Sequence, residues 1–474
     1  MKIHIESMGC AKNTADSENL LHQLILHGHE ITDNIYDSEV AIINTCGFIQ
    51  DAVKENINEI LDIEELKANG TIKKFIVAGC LYNRYGAELA SEFPNVDLFV
   101  RSEEWDKIIN FLAENDTTIN PVEMNAPLNP PLSGRDLPAR TCRTPSPVKG
   151  KAGKGSYHTN NGEAERESCY NKNFWTRYLK VSEGCNTLCS YCAIPMIRGR
   201  LRSVHLKPLV DRALMLCAAG AKEICLVGQD LTVYGQDFNS GTNFRTMIET
   251  LNRELPSGTW LRLLYLHPNR VNEELIDFLM SQDKILHYLD IPIQHSDSEI
   301  LTRMNRPVKP GHLERIFKYI RSVDDLFTLR TTVMTGFPGE SEASFARLED
   351  FISEIEFDRL GCFVYSPEEG TKAAYYPDQV DIEIAEERCA RLLALQSEIS
   401  QSRGELFINR ELDVLLEEPD SDPESKDIWG RSYRDAPEVD GLVCVSGLDR
   451  AKLGDVVKAR IYDCVENDLF GEVN

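Results

Sequence analysis

The 474-residue sequence lacks the segments that carry a protein across or into a membrane. Its first ten residues hold a single lysine, and no apolar core of about 7–15 residues follows, so no signal peptide is predicted. No run of about 18 apolar residues is free of charge, which argues against a membrane span. We therefore expect a cytoplasmic protein without a membrane partner.

Basic residues are also scarce. The chain has 51 Lys and Arg against 76 Asp and Glu, a formal net charge of −25. Such a surface repels nucleic acid unless a local basic patch intervenes, and it favours a basic partner. A hydrophobic content of 42% with 27% charged residues is typical of a soluble globular protein. The length indicates about three domains.

Fourteen cysteines without an export signal indicate metal or redox chemistry rather than disulfides. Three of them, Cys185, Cys189 and Cys192, share the short run EGCNTLCSYC, and no fourth cysteine is close. Structural zinc sites use four ligands, and bacterial ferredoxin runs carry a further cysteine. Three cysteines can instead hold a [4Fe–4S] cluster and leave one iron open to S-adenosylmethionine (SAM). A zinc site with a remote fourth ligand is the alternative.

Residues 1–115 alternate short apolar strands with helical patterns, which predicts a doubly wound parallel α/β sheet. Cys10, Cys46 and Cys80 each follow directly on one of the first three predicted strands, and the first helix is predicted from about Asp16. A single cysteine in such a place is usually a small buried hydrophobe. Because the carboxyl ends of parallel strands share one edge, three of them predict a second metal cluster.

The composition changes between residues 116 and 173, where prolines crowd and apolar periodicity is lost. This predicts a mobile linker. From 174 to 402, six strand–helix repeats predict a partial (β/α)6 barrel with its chemistry at the carboxyl ends of the strands. Tyr191 in the three-cysteine loop, with Gln229 and Gln294 at two later strand ends, is predicted to contact SAM.

Three arginines, Arg198, Arg200 and Arg202, follow the three-cysteine loop. They are predicted to offset the charge of a cluster, to meet a carboxylate or to lie at the surface. Residues 403–474 show strand-like alternation, which predicts a small antiparallel β-barrel. From residue 405 onward the chain has 18 acidic and 8 basic residues, a net charge of −10. That sign disfavours phosphate binding and would steer a basic protein toward the barrel mouth.

Apart from residues 116–173, the chain resembles the radical-SAM methylthiotransferase family. The matching stretches are SMGCAKNTADSE, IINTCGFI, VAGCL, EGCNTLCSYCAIPMIRGRLRS, YLDIPIQH, TGFPGE and GCFVYSPEEGT. The resemblance implies an N-terminal methylthiotransferase domain, a radical-SAM core and a C-terminal TRAM domain. It also implies two [4Fe–4S] clusters on the six cysteines, SAM, and an external flavodoxin- or ferredoxin-like electron donor. The N-terminal cluster would carry the sulfur that is methylated and then captured by a substrate radical.

Two branches of that family differ in substrate: one modifies an adenosine of tRNA, the other an aspartate of small-subunit ribosomal protein twelve. The stretches KNTADSE, GCFVYSPEEGT and GRSYRDAPEVDG resemble the second, and the acidic C-terminal region agrees because ribosomal proteins are basic. We therefore predict β-methylthiolation of that aspartate, in the free protein or the assembled small subunit, and do not expect tRNA as a partner. The alternatives are a methylthiotransferase for N6-isopentenyl or threonylcarbamoyl adenosine, and a non-catalytic iron–sulfur electron carrier or RNA-binding protein.

Overall fold

The structure is a computed structural model that describes residues 1–114, 174–422, 424–448 and 450–473. The predicted linker, 116–173, lies outside the described residues. Within them, the chain forms a parallel sheet, then a six-stranded parallel half-barrel, then a closed barrel. None of the described helices has both the length and the apolar content needed to span a lipid bilayer.

The N-terminal sheet has five parallel strands in the order β2-β1-β3-β4-β5, as the sequence predicts for a doubly wound fold. The strands are β1 (Lys2–Ser7), β2 (Glu30–Ile31), β3 (Val40–Thr45), β4 (Lys74–Gly79) and β5 (Leu98–Val100). The helices are α1 (Ala11–Leu26), α2 (Gln50–Ala68), α3 (Cys80–Tyr85), α4 (Ala87–Glu92) and α5 (Asp106–Glu114), with a 3-10 turn at Ile35–Asp37. Strand β3 is buried along its whole length, as expected for a parallel strand covered on both faces.

Helix α1 begins at Ala11, earlier than the predicted start near Asp16. Cys10 is its extended N-cap residue, and the Cys10 carbonyl accepts hydrogen bonds from the backbone of Asn13 and Thr14. The first turns carry polar residues that are nevertheless buried. Because the apolar pattern starts only after them, the helix start could not be found from hydrophobic periodicity.

The central unit is a parallel sheet in the order β13-β12-β11-β10-β9-β6, open between its two edge strands, which confirms the predicted partial barrel. Its strands are β6 (Thr176–Lys180), β9 (Glu223–Val227), β10 (Trp260–Leu263), β11 (Ile285–Asp290), β12 (Thr328–Thr335) and β13 (Arg359–Val364), with a small hairpin of β7 (Ser182–Glu183) and β8 (Arg202–Ser203). Its helices are α6 (Ile194–Ile197), α7 (Leu206–Ala219), α8 (Phe244–Glu254), α9 (Glu273–Met280), α10 (Ser298–Arg303), α11 (His312–Val323), α12 (Glu342–Ile355) and α13 (Ile382–Glu405), with 3-10 turns at Leu231–Val233, Pro268–Arg270 and Ala373–Tyr375.

Helix α1 of the N-terminal unit packs against the first barrel strand, β6. Ala15 joins Tyr178 in one buried apolar cluster. Around it, Glu18 accepts a hydrogen bond of 3.1 Å from Arg177, and Asp16 pairs with Lys180. The polar face of α1 is therefore buried against the barrel rather than exposed to water.

The C-terminal unit is a closed barrel of mainly antiparallel strands in the order β14-β15-β16-β18-β17, as predicted. Its strands are β14 (Glu411–Pro419), β15 (Ile428–Arg431), β16 (Val443–Ser446), β17 (Val456–Val465) and β18 (Asp468–Glu472). Helix α13 leads into it and ends at Glu405, so the expected domain boundary after residue 402 falls inside a helix.

The segment 431–440 of this C-terminal barrel packs against the amino ends of the central strands. Arg431 donates to Glu223, the first residue of β9, over 2.6 Å, and Asp435 accepts from Arg359, the first residue of β13, over 2.7 Å. The acidic C-terminal unit therefore lies at the opposite end of the barrel from the three-cysteine loop. Its acidic side chains therefore do not line the barrel mouth.

Candidate functional site

The three-cysteine loop follows β7 at the carboxyl end of the barrel. The Cys185 amide donates to the Gly199 carbonyl over 3.1 Å, and the Cys192 amide to the Cys189 carbonyl over 3.2 Å. Gly184, at φ +71°, is required here, because a Cβ atom would lie 2.2 Å from the Arg200 carbonyl oxygen. The loop is thus folded back so that all three cysteines stay close to the strand end.

Two other strand-end segments fix this loop. Ser190 donates through its amide to Met304 (3.0 Å) and through its hydroxyl to Arg303 (2.8 Å). Its carbonyl accepts from the amide of Ala373 over 2.8 Å. Ligands for a metal cluster need a backbone that holds them in place, and these bonds supply that rigidity.

Tyr191, predicted to contact SAM, packs edge-on against Phe337 with ring centres 6.4 Å apart. Beside it, Arg306 donates to the Cys189 sulfur over 3.6 Å and to the Pro292 carbonyl over 2.9 Å, but its Nε has no partner. Burial raises the pKa of Cys192 to about 12, so its thiolate requires a bound metal or a cation. Arg306 was not predicted, because it follows the loop by more than a hundred residues and belongs to no motif.

The three N-terminal cysteines also meet. Gly9 has φ +98°, and a Cβ atom there would lie 2.7 Å from Cys46 Cβ and 3.1 Å from Cys46 Sγ. The Cys80 thiol lies 3.9 Å from the side-chain oxygen of Asn13, in the first turn after Cys10. The loops after β1, β3 and β4 are therefore in contact, as expected for the carboxyl ends of neighbouring parallel strands.

Buried cations surround this second set of cysteines. Burial alone would raise the pKa of Cys10, but the positive charges of Lys12 and Arg198 hold it below its usual value. Burial raises the pKa of Cys80 to about 11. Such a mixture of desolvation and nearby cations is typical of functional rather than inert cysteines.

Arg198 connects the two sets of cysteines. It follows the Cys185 loop, yet its Nε donates to the Cys80 sulfur over 3.1 Å, and its Nη1 donates to Glu183 over 2.9 Å. Cys80 itself packs in a small buried cluster with Ala193 and Ile197. Of the three arginines singled out in the sequence, Arg198 is thus buried between the cysteine sets, whereas Arg200 is exposed.

A second contact joins the barrel to the N-terminal sheet through the segment after β13. The carboxylate of Glu368, after β13, accepts from Arg84 over 2.9 Å and from the Gln50 amide over 3.1 Å. Arg84 also donates to the carbonyl of Gly47, the residue after Cys46, over 2.9 Å. The barrel and the N-terminal sheet are therefore held together by this contact as well as by Arg198.

The spacing of the sulfurs bears on what they hold. Among the residues that the structure describes, Asp420, Asp427 and Cys444 form the one set of three candidate ligands within 4.8 Å of one another. Neither cysteine trio is that compact. Zinc–sulfur bonds of about 2.3 Å would bring thiolates to about 3.8 Å from each other, so neither trio is arranged for a single zinc ion as it stands.

The predicted SAM contacts lie at the same end of the barrel. Gln229 follows β9, and both polar atoms of its amide are buried without a hydrogen-bond partner. Gln294 follows β11 at φ +69°, and its backbone bonds to Thr332 and Met334 of β12 over 2.8 Å. His267, after β10, also has an unpartnered Nε2, and burial, with Arg306 and Arg270, lowers its pKa to about 3. Buried polar atoms without partners mark a place where a ligand is expected.

Three family models match the chain. They are described as "Uncharacterized protein family UPF0004" over residues 2–101, "Radical SAM superfamily" over 179–352 and "TRAM domain" over 408–473. The second match implies SAM and a [4Fe–4S] cluster.

Two solved structures share the fold. Both are of TsrM from Kitasatospora setae, a radical SAM methyltransferase, one with tryptophan and a SAM analogue and one with cobalamin and a [4Fe–4S] cluster. Each has a TM-score of 0.51 at 15% identity; the first covers 76% of this chain and 72% of its own, the second 78% and 73%. At that identity the likeness extends to the fold alone.

Closer relatives are named "Ribosomal protein uS12 methylthiotransferase RimO". The protein of Geotalea uraniireducens is 36% identical over 100% of this chain and 98% of its own length. That of Aquifex aeolicus is 37% identical over 99% and 97%, and that of Clostridioides difficile 35% identical over 100% and 99%. Similarity of this extent over whole chains means that the protein belongs to the RimO family of radical-SAM methylthiotransferases.

Proposed function

We propose that this protein adds a methylthio group to the β-carbon of an aspartate in ribosomal protein uS12, small-subunit protein twelve. The observation that carries the proposal is the pair of cysteine trios brought together around Arg198 at the carboxyl end of the barrel. The names of the full-length relatives support the substrate. Transfer of a group onto carbon, rather than electron carriage alone, would account for two neighbouring sets of cysteines.

The first trio, Cys185, Cys189 and Cys192, would hold the [4Fe–4S] cluster that, with SAM, supplies the radical for abstracting hydrogen from an unactivated C–H bond. The anchored loop keeps the three sulfurs in place. Tyr191, Gln229 and Gln294 are the proposed SAM contacts. Because both polar atoms of the Gln229 amide lack a partner, it can bond to a polar group of SAM without breaking a bond within the protein.

The second trio, Cys10, Cys46 and Cys80, would hold a second [4Fe–4S] cluster, and the sulfur that is transferred would come from there. The surroundings of this second trio are partly buried. Cys80 packs against Ala193 and Ile197, and Arg198 donates a hydrogen bond to the Cys80 sulfur. Hydrogen bonds to ligand sulfurs and exclusion of water are the ways in which proteins adjust such clusters.

The proposed partners follow from charge and chemistry. A net charge of −25 favours a basic ribosomal protein, free or in the assembled small subunit, and disfavours tRNA. Reductive cleavage of SAM consumes an electron, so an external flavodoxin- or ferredoxin-like donor is required. We propose a cytoplasmic enzyme with a methylthiotransferase domain (1–115), a linker (116–173), a radical-SAM core (174–402) and a TRAM domain (403–474).

Mass spectrometry of uS12 from cells with and without this gene tests the substrate. We expect uS12 to carry one methylthio group only when the gene is present. A modification that persists in the deletion strain would reject the proposal. Loss of methylthio-adenosine from tRNA, with uS12 unchanged, would assign the protein to the tRNA branch instead.

A Cys46→Ala variant tests the second cluster. After anaerobic reconstitution, it should contain less iron than the wild-type protein and should lose methylthio transfer while retaining release of deoxyadenosine from SAM. Equal iron content in the two proteins would contradict the second cluster. Failure of the wild-type protein to release deoxyadenosine or S-adenosylhomocysteine would favour a non-catalytic iron–sulfur protein.

A further inference from the structure

The geometry points to Lys12 as the residue that binds the carboxylate of the target aspartate; this inference rests on the proposed function. Lys12 lies two residues after Cys10, in the first turn of α1, and its side chain is buried, with 9% exposed. A buried ammonium group is costly to desolvate unless it is paired with an acid.

Lys12 has no such acid. Its Nζ lies 4.0 Å from the ring centre of Tyr265 and 3.5 Å from the Gly228 carbonyl oxygen, a long hydrogen bond. Among the residues that the structure describes, no carboxylate oxygen lies within the 4.0 Å of an ion pair with it. Lys180, a second buried lysine in this region, pairs with both Asp16 and Glu183. The lack of an acidic partner is therefore particular to Lys12 and is not shared by Lys180, the other lysine between α1 and the barrel.

The position of Lys12 matches the chemistry of the substrate. Lys12 lies near both Cys10 of the second trio and Gly228, the residue before the unpartnered Gln229. The β-carbon of an aspartate bears both the C–H bond to be modified and the carboxylate. Binding the carboxylate to Lys12 would therefore bring that carbon between Gln229, a proposed SAM contact, and the second trio. Hydrogen abstraction and transfer of the methylthio group are both needed there.

Charge balance for the second trio is the competing role. The groups that face Lys12 are Cys10, Arg198, Glu183 and Tyr265. Arg198 already donates to a sulfur of the trio, at Cys80. The Lys12 ammonium makes no hydrogen bond to any sulfur among the described cysteines, which favours a role toward the substrate over one toward the cysteines.

The experiment compares the binding of two unmodified uS12 peptides. One contains the target aspartate, and the other has asparagine in its place. Dissociation constants are measured anaerobically for reconstituted wild-type protein, Lys12→Gln, Lys12→Arg and Lys73→Gln. Lys73 is an exposed lysine of the same domain and controls for the change in net charge. Iron content and the electron paramagnetic resonance spectrum of each protein are recorded with the binding data.

We expect the wild-type protein to bind the aspartate peptide about ten- to a hundredfold more tightly than the asparagine peptide, the range of a hydrogen bond between charged groups. Lys12→Gln should reduce this ratio to about one with unchanged iron content, whereas Lys12→Arg and Lys73→Gln should keep it. An unchanged ratio in Lys12→Gln would overturn the inference. Loss of iron from that variant would also overturn it, assigning Lys12 to charge balance. If the wild-type protein neither binds nor modifies uS12, the proposed function itself fails.

Discussion

The two ends of the central barrel differ in how their buried polar groups are paired. At the amino end, the Glu223 carboxylate accepts from Arg262 over 2.5 Å and from Arg431 over 2.6 Å. At the carboxyl end, polar atoms of Gln229 and His267 are buried without partners, and no carboxylate in the described part of the chain forms an ion pair with Lys12. Buried charges that are paired fix a structure, whereas buried polar groups without partners are ready for a ligand.

Three of the described residues at the amino end depart from this comparison: Thr328 Oγ1 and Arg359 Nε are buried without a hydrogen-bond partner, and Arg434 is the clearest case. Arg434, at the amino end, is buried, and none of its three guanidinium nitrogens has a hydrogen-bond partner. Its guanidinium stacks on the ring of Phe407, 4.0 Å from the ring centre. A cation–π contact thus replaces the hydrogen bonds at this position. The other amino-end arginines described above, Arg262, Arg359 and Arg431, each have acidic partners.

The largest expected effect is on catalysis at the carboxyl end. Cys185→Ala should lower the release of deoxyadenosine from SAM at least about a thousandfold, which corresponds to about 4 kcal/mol of barrier, because a proposed ligand of the SAM-cleaving cluster is lost. Chromatographic measurement of deoxyadenosine under reducing conditions checks this. Cys217→Ala, a half-buried cysteine on α7, is the control and should retain the activity. Deoxyadenosine release by Cys185→Ala at the wild-type rate would reject the ligand assignment.

The next effect is on stability at the amino end. Glu223→Gln leaves Arg431 with the Glu417 carboxylate but takes from Arg262 its carboxylate partner, and an uncompensated buried charge costs about 3–5 kcal/mol of unfolding free energy. Urea denaturation measures this loss, and Glu249→Gln, at an exposed position, should leave the midpoint unchanged. Release of deoxyadenosine per bound iron should be unaffected below the unfolding range. A fully stable Glu223→Gln protein would show that the amino end does not depend on this network.

Lowering the pH should reduce the unfolding free energy through the same Glu223 network, with a smaller effect. Arg262 and Arg431 overcome the effect of burial and lower the pKa of Glu223 to about 2, from 4.5. A depressed carboxyl pKa contributes stability above pH 4.5, and that contribution is lost as the pH falls toward 2. It amounts to roughly 3 kcal/mol, and it should be missing in Glu223→Gln. Unfolding of the iron-free proteins across this pH range measures it, and parallel pH profiles for the two proteins would contradict it.

The smallest expected effects compare two glutamines. Gln229→Leu should weaken SAM binding about tenfold and change the unfolding free energy by less than about 1 kcal/mol, because its amide has no partner within the protein. Gln396→Leu should cost about 1–3 kcal/mol and leave SAM binding unchanged, since the Gln396 amide donates to Phe357 over 2.7 Å and to Ser400 over 2.9 Å. Calorimetric SAM titrations and denaturation curves check both. If Gln229→Leu lost stability and Gln396→Leu lost SAM binding, the comparison of the two glutamines would be rejected.

The strand-end rule predicted much of the fold, and it predicted that Cys10, Cys46 and Cys80 lie together at one edge of their sheet. Alternation of apolar runs predicted the six barrel strands, because each strand carries its pattern locally. The contacts between units could not be predicted. Arg198 lies 118 residues from Cys80, and Glu368 lies 284 residues from Arg84, so no local pattern records either pair. Lys12 could have been noticed as a charged residue two positions after Cys10, but its burial could not have been predicted.

Helix α1 has a consequence for how the protein is synthesised. The partners of its polar face are synthesised much later than the helix itself. Glu18 lies 159 residues before Arg177, and Asp16 lies 164 residues before Lys180. At about 5–20 residues per second, a ribosome needs on the order of 10–30 s to extend the chain between them. During this interval an apolar face would be exposed and prone to aggregation, whereas a face of lysine, aspartate and glutamate remains hydrated. The charged composition of this buried helix therefore allows the nascent amino-terminal domain to stay soluble until the barrel emerges.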